Sequence, residues 1–265
     1  MAEGMALMTI DPLLLLQAYA IGVFPMSDGR NACDIYWVEP KKRAILPLDG
    51  FRLSHSLAKT IRRERFAVSF DTDFAAVVGK CAEAAPDRPS TWINRQIEDA
   101  YGNLHRLGFA HSVECREDGE LVGGLYGVAL GRAFFGESMF SRRTDASKVA
   151  LAWLVARMRE AGFTLLDCQF MTDHLRSLGA VEIDQRDYLT LLGDAVAGVP
   201  LGAGRAVLAT GAASAAALPP SEGAAESLPP DGPRSVGRAP DFPPSLIVSG
   251  PVSGHSIVQL LTHTS

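Results

Sequence analysis

The 265-residue chain is long enough for one large domain or two modest ones, and 47% hydrophobic against 21% charged residues is the profile of a soluble globular protein. No run approaches the roughly 18 apolar residues of a membrane helix, and the first residues lack the basic region and cleavage site of a signal peptide, so a cytoplasmic protein without a membrane partner is expected. The formal net charge of −5 hides an asymmetry: residues 41–65 hold eight of the 25 Lys and Arg and only two acids, Asp49 and Glu64, so that segment carries +6.

The first predicted element is a helix over about 12–21, opened by Asp11-Pro12 as N-cap and first helical residue and stopped at Gly22. VFPMSD after it reads as a turn-rich loop. IYWVEPKKRAILPL gives two short strands joined by a turn at Glu39-Pro40, and a helix over 54–63 follows with Ser54 as N-cap. FAVSFDT is a strand, DFAAVVGKCAEA a helix, and residues 93–107 a helix ending at Gly108. AHSVECREDGELVGGLYGVALGRAFFGESMF is a run of strands, with Asp118-Gly119 as a hairpin turn between alternating segments. Residues 148–160 are expected to form an amphipathic helix, FTLLDCQF a short buried strand, TDHLRSLG a helix, and 180–186 a last strand. After about residue 204 the composition changes: nine of the 16 prolines lie between Pro219 and Pro251 amid Ala, Gly and Ser. Such a stretch buries too little apolar surface to offset its ordering entropy, so 205–265 reads as a proline/alanine-rich, flexible tail. Only SLIVSGPVSGHSIVQLL within it is apolar enough to dock. This order of elements is an α+β pattern with a mostly antiparallel sheet, suited to an N-acyltransferase of the acetyltransferase type.

The cysteines at 33, 81, 115 and 168 form no CxxC pair and the six histidines no HxxxH or HExxH, so no metal and no cofactor are expected. Chemistry concentrates in GRAFFGESMFSRRTDASK and, about thirty residues later, DCQFMTDHLRSLGA. Glu137 interrupts an otherwise apolar strand, where a carboxylate is costly unless paired or used. Asp167 and Gln169 flank Cys168 and so share one side of their strand. Two acids and an amide converging at the sheet centre would suit aminolysis, in which a carboxylate holds or deprotonates an ammonium group and an amide orients a reactant. The alternative is a structural ion pair with Arg142 or Arg143. Leu151, Leu154 and Met158 fall on one helical face, as ordinary core or as the wall of an apolar pocket beside Glu137. The basic segment is either a solvated face or a surface for a phosphate backbone.

Several strings together are similar to the leucyl/phenylalanyl-tRNA–protein transferase family: YAIGVFPM at 19–26, WVEPKKRAILPL at 37–48, TWI at 91–93, GLYGVALG at 124–131, GESMFSR at 136–142, ASK at 146–148, DCQ at 167–169, DH at 173–174 and SLGA at 177–180. The resemblance runs collinearly over about 8–195. It implies a small N-terminal α/β domain, set here at 1–60, and an acetyltransferase-like (GNAT-type) catalytic domain over 61–204, ahead of the 205–265 tail. The implied activity is transfer of Leu, Phe and less readily Met from aminoacyl-tRNA to proteins beginning with Arg or Lys, which marks them for N-end rule degradation.

Carried over by residue, the resemblance places Glu137, Asp167 and Gln169 at the reactive centre. The apolar side-chain pocket falls to Leu125, Phe134, Leu151, Leu154, Met158 and Leu166, and the tRNA 3′-adenosine to Trp37 and Trp92. Lys41, Lys42, Arg43, Arg52, Lys59, Arg62, Arg63 and Arg65 become candidates for the tRNA backbone. A monomer without cofactor is the simplest expectation. The chain departs from the family pattern at Phe135, at Val38-Glu39-Pro40 and in the tail. Three other readings stand beside it. A coenzyme-A-dependent acetyltransferase would want a glycine loop for pyrophosphate, which SRRTDASK lacks. A non-catalytic RNA-binding protein would leave the acid and amide trio unused. A related aminoacyl-tRNA transferase would differ in its acceptor, taking acidic N-termini.

Overall fold

The computed structural model describes residues 9–84, 90–201 and 253–262. The elements in chain order are α1 (Pro12–Ala20), β1 (Phe24–Met26), β2 (Tyr36–Val38), β3 (Lys42–Ile45), α2 (His55–Arg62), β4 (Ala67–Phe70), α3 (Phe74–Ala82), α4 (Arg95–Arg106), β5 (Ala110–Glu117), β6 (Glu120–Leu130) and β7 (Ala133–Ser141). They continue with α5 (Ala146–Glu160), β8 (Leu165–Gln169), α6 (Asp173–Ser177), β9 (Val181–Asp184), α7 (Gln185–Ala195) and α8 (Gly254–Thr262).

Local chemistry explains most boundaries. The Asp11 carboxylate accepts from Leu14 N–H with Pro12 next to it, and the Ser54 hydroxyl accepts from Leu57 N–H, so α1 and α2 start where their sequences say. Asp118 and Gly119 both adopt left-handed φ, 52° and 84°, the geometry a two-residue hairpin with right-handed strand twist requires. One segment here differs from expectation. Phe24–Met26 is not a loop but a strand, β1, pairing antiparallel with β2 in a separate two-stranded ribbon. Its proline is tolerated because such a ribbon has open edges on both sides.

Seven strands form the main sheet in the order β4-β5-β6-β7-β8-β3-β9. All pairs are antiparallel except β7–β8, which α5 joins as a crossover. The fold is therefore a mixed α+β arrangement. β3, from the segment assigned by sequence to the small N-terminal unit, lies inside this sheet between β8 and β9. One face packs against a core built with Leu15, Tyr19, Ile97, Tyr101 and Tyr188 from α1, α4 and α7. The other packs against α2, α5 and α8 through Leu57, Ile61, Leu151, Val155 and Ile257.

The expected amphipathic helix, α5, is instead buried almost all round, from Ala146 to Met158 and including Arg157. Its fourth side is closed by α8, which lies in the stretch read as tail. Residues 202–252 and 263–265 of that stretch fall outside the described residues. Ile257, Val258 and Leu261 of α8 are buried, a burial worth about 1.5–3 kcal/mol for each large aliphatic side chain.

Candidate active site

The parallel register of β7 and β8 covers only Ala133↔Leu165, Phe134↔Leu166 and Phe135↔Asp167. Beyond it the strands separate, and a cleft of about 1080 Å³ opens where they part. That is at the upper end for small-molecule pockets, with room for more than one amino-acid side chain. Residues from both faces of the sheet line it: Met26, Trp92, Glu137 and Gln169 on one side, and Leu125, Leu151, Leu154, Leu166 and Cys168 on the other.

Glu137 is nearly solvent-free, yet it sits within a ring of donors. Its Oε1 accepts from the Tyr19 hydroxyl at 2.7 Å and Gln169 Nε2 at 2.8 Å, and its Oε2 from the Tyr101 hydroxyl at 2.8 Å. The two tyrosine hydroxyls also touch each other at 2.5 Å. Burial, then the Glu137 charge, pushes both phenols well above their ordinary pKa, so they stay protonated donors. For Glu137 itself burial dominates: it raises the pKa from 4.5 to about 7 against the opposing pull of the three hydrogen bonds, with Asp167 adding to the rise. A carboxylate offers about four acceptor positions. Three are filled, which leaves one for a cleft ligand.

Asp167 is placed differently. Its carboxylate is fully buried and accepts from Arg43 Nε at 2.9 and 3.0 Å, Arg43 Nη2 at 2.6 Å, the Tyr188 hydroxyl at 2.8 Å and the Gln169 backbone N–H at 2.7 Å. The Arg43 guanidinium is sandwiched between the rings of Phe24 and Tyr188, 4.8 and 4.5 Å from their centroids, and donates Nη1–H to Gly22 O. The strand alternation holds: Asp167 and Gln169 turn to the α1, α4 and α7 side, and Cys168 to the α5 side. Gln169 ends its strand with φ 62°, and the Asp167 bond to its N–H secures that left-handed turn.

Several sequence-based placements change. Arg43 cannot meet a tRNA backbone, because its side chain is 1% exposed and closed on Asp167. Arg43 is also the partner of the buried acid, in place of Arg142 and Arg143, which pair with Glu83 and Glu117 at the surface. Phe134 and Met158 are buried in the core behind the pocket and do not line it, whereas Leu125, Leu151, Leu154 and Leu166 do. Trp92 lines the cleft; Trp37 is 40% exposed on β2 and does not. Lys41, Lys42, Arg52, Lys59, Arg62, Arg63 and Arg65 are exposed, with Lys42 near Glu182 and Arg65 on Glu117.

Sequence reasoning missed Tyr19, Tyr101 and Tyr188, although Tyr19 opens one of the quoted strings. It also gave no role to Lys148 and His174, both lining the cleft. Burial, followed by the Lys148 charge, lowers the His174 pKa. Cys168 reaches the cleft too, but burial and then Asp167 push its thiol up, so it supplies no thiolate nucleophile.

The comparisons agree along the chain. Residues 8–41 match the model of the leucyl/phenylalanyl-tRNA protein transferase N-terminal domain, and residues 45–193 that of the leucyl/phenylalanyl-tRNA protein transferase itself. A leucyl/phenylalanyl-tRNA–protein transferase of Rhizorhabdus wittichii is 61% identical over 97% of this chain and 99% of its own length, a span that reaches well into the C-terminal segment. One from Zymomonas mobilis is 65% identical over 71% of this chain and 70% of that protein. Among solved structures, L-PGS from Bacillus licheniformis is only distantly alike, at 14% identity and TM-score 0.35 over 60% of this chain and 53% of that one. With both family models matched in series and a relative alike over nearly its whole length, the chain belongs to the leucyl/phenylalanyl-tRNA–protein transferase family, and is an aminoacyltransferase that uses tRNA.

Proposed function

We propose that the chain moves Leu, Phe and less readily Met from aminoacyl-tRNA onto the α-amine of proteins beginning with Arg or Lys, marking them for N-end rule degradation. The observation that carries this reading is the join, in one cleft, of an apolar chamber and a carboxylate of pKa about 7 with an unfilled acceptor position. Leu125, Leu151, Leu154 and Leu166 take the transferred side chain by size and hydrophobicity, and Trp92 offers a face to the terminal adenosine.

The donor ester is already activated, so the enzyme's task is alignment. Glu137 holds the acceptor ammonium and takes its proton. The freed amine attacks the ester carbonyl, the C–N bond forms, and the ester C–O bond breaks. The attacking nitrogen sheds a second proton, which the ribose oxygen takes as it leaves, and Glu137 gives the first to solvent. Gln169 fixes the Glu137 carboxylate, and Asp167, saturated by Arg43 and Tyr188, acts through the Gln169 backbone without touching substrate. In the same reading the catalytic unit is acetyltransferase-like (GNAT-type), supported by the antiparallel run that ends in the β7–α5–β8 crossover.

The test is transfer of labelled leucine from charged tRNA to two peptides, one starting with Arg and one with Asp. Label on the Arg peptide alone is expected. Label on the Asp peptide would keep the reaction and overturn the acceptor; label on neither would overturn both. The pocket assignment has its own check. Leu154→Ala should shift donor preference from Leu toward Phe, by about 10–200-fold if the site discriminates by cavity fit. An unchanged ratio would move the side-chain site elsewhere.

A further inference from the structure

The helix α8 closes the fold from a stretch that composition marks as tail, and its contacts are specific at both ends. At its N-terminus Gly254 N–H donates to the Glu64 carboxylate at 2.9 Å, and Ser253 Oγ accepts from Ser256 N–H. Glu64 has left-handed φ, 49°, just past the end of α2. Position 254 needs glycine, since a Cβ there would collide with the Ile61 carbonyl of α2. Near its C-terminus, Arg159 of α5 donates from Nη1 to Leu260 O at 2.5 Å and from Nε to Leu48 O at 2.8 Å. Between these ties Ile257, Val258 and Leu261 enter the core shared by α2 and α5. One short helix therefore joins the end of α2 to the end of α5, where Arg159 in turn holds the turn that precedes α2.

Charge makes the arrangement directional. Helix α2 and its C-terminal edge expose Lys59, Arg62, Arg63 and Arg65. Glu64, the one acid among them, is spent on the N-terminus of α8, and α8 itself (GHSIVQLLT) carries no Asp or Glu. Arg65 is held by Glu117, but on a chain of net −5 an uncharged helix in this place adds no acid against Lys59, Arg62 and Arg63. Arg52, within the same 41–65 segment ahead of α2, lies beside Gly179 just past the end of α6, whose first turn lines the cleft. α6, whose Asp173 and Arg176 pair with each other, thus connects the cleft to Arg52 and the basic segment.

We propose that α8 is a brace that fixes the basic helix α2 on the catalytic layer, so that its cations meet the tRNA body while the aminoacylated end lies in the cleft. Ile257, Gly254 and Glu64 are positioning residues in this scheme, which rests on the reading of α2 as the tRNA surface.

The test uses the full chain and two donors: charged tRNA, and 3′-aminoacyl-adenosine, which reaches the cleft alone. Ile257→Asp should raise KM for charged tRNA about tenfold and flatten its salt dependence, leaving kcat and transfer from aminoacyl-adenosine unchanged. Val258→Ala, which trims the contact without burying or removing a charge, should move the tRNA KM in the same direction by less and speed hydrogen exchange in α2. Equal loss with both donors would make α8 a general support of the fold and overturn the proposal, as would no change with either. Arg62→Glu with Arg63→Glu separates the underlying reading. If that pair leaves the tRNA KM and salt slope untouched, α2 is not the tRNA surface and the brace has nothing to position.

Discussion

Glu137→Gln is expected to lower transfer by roughly 10²–10⁴-fold, the usual worth of a positioned general base, while charged tRNA still binds. The variant keeps the side chain's shape and its oxygen can still accept from Tyr19 and Gln169, while its NH2 donates to the Tyr101 hydroxyl, which must turn its own proton away. What it loses is the proton site. The pH profile separates this from structural damage. Because Glu137 works as the carboxylate and its pKa is about 7, wild-type transfer should fall as pH drops through 7. The acceptor amine contributes its own ionisation at roughly 7.7–8.0 and should be the one limb left in the variant. Loss of tRNA binding equal to the loss of rate, or an unchanged two-limbed profile, would remove Glu137 from the chemistry.

Arg43→Ala should be the most damaging change to the fold among the residues around the cleft. It would strand the Asp167 carboxylate, which is 0% exposed, without the guanidinium that supplies three of its contacts. Breaking one side of a buried ion pair costs about 3–5 kcal/mol, and a urea titration would read it directly as a lower midpoint at unchanged slope. Replacing both partners, Arg43→Met with Asp167→Leu, should recover much of that stability, because no lone charge remains buried. It should not recover activity, since the bond from Asp167 to the Gln169 N–H is also gone. A single variant within about 1 kcal/mol of wild type would mean that water or relaxation replaces Arg43, and that the pair is not what anchors Gln169.

These residues also show how far the sequence could be read. Helix starts at Asp11-Pro12 and Ser54 and the Asp118-Gly119 hairpin were legible because their causes lie within four residues. Glu137 and Gln169 were legible because a carboxylate amid aromatic and apolar neighbours requires a reason. Arg43 was not: in KKR at 41–43 the three cations look alike, and only strand parity and the position of β3 beside β8 send the third inward. Tyr19 and Tyr101 come from helices 82 residues apart that meet over β7, a proximity no local pattern encodes. Part of the burial of α5 comes from α8, about a hundred residues later in the chain, and no pattern within 146–160 announces it.

The setting of Glu137 has a cost for the folded state itself. Its pKa is about 7 in the fold and near 4.5 when the chain is open, so between those values the unfolded chain releases the proton first. The native state then holds more protons than the unfolded one, and stability declines across that window as pH rises. Above about 7 the decline stops, with up to about 3 kcal/mol forgone at this single buried carboxylate. The protein is thus least comfortable in the ionisation state its chemistry needs. An ammonium group arriving at the unfilled acceptor position would relieve that discomfort, so part of the acceptor's affinity is drawn from tension already built into the empty enzyme.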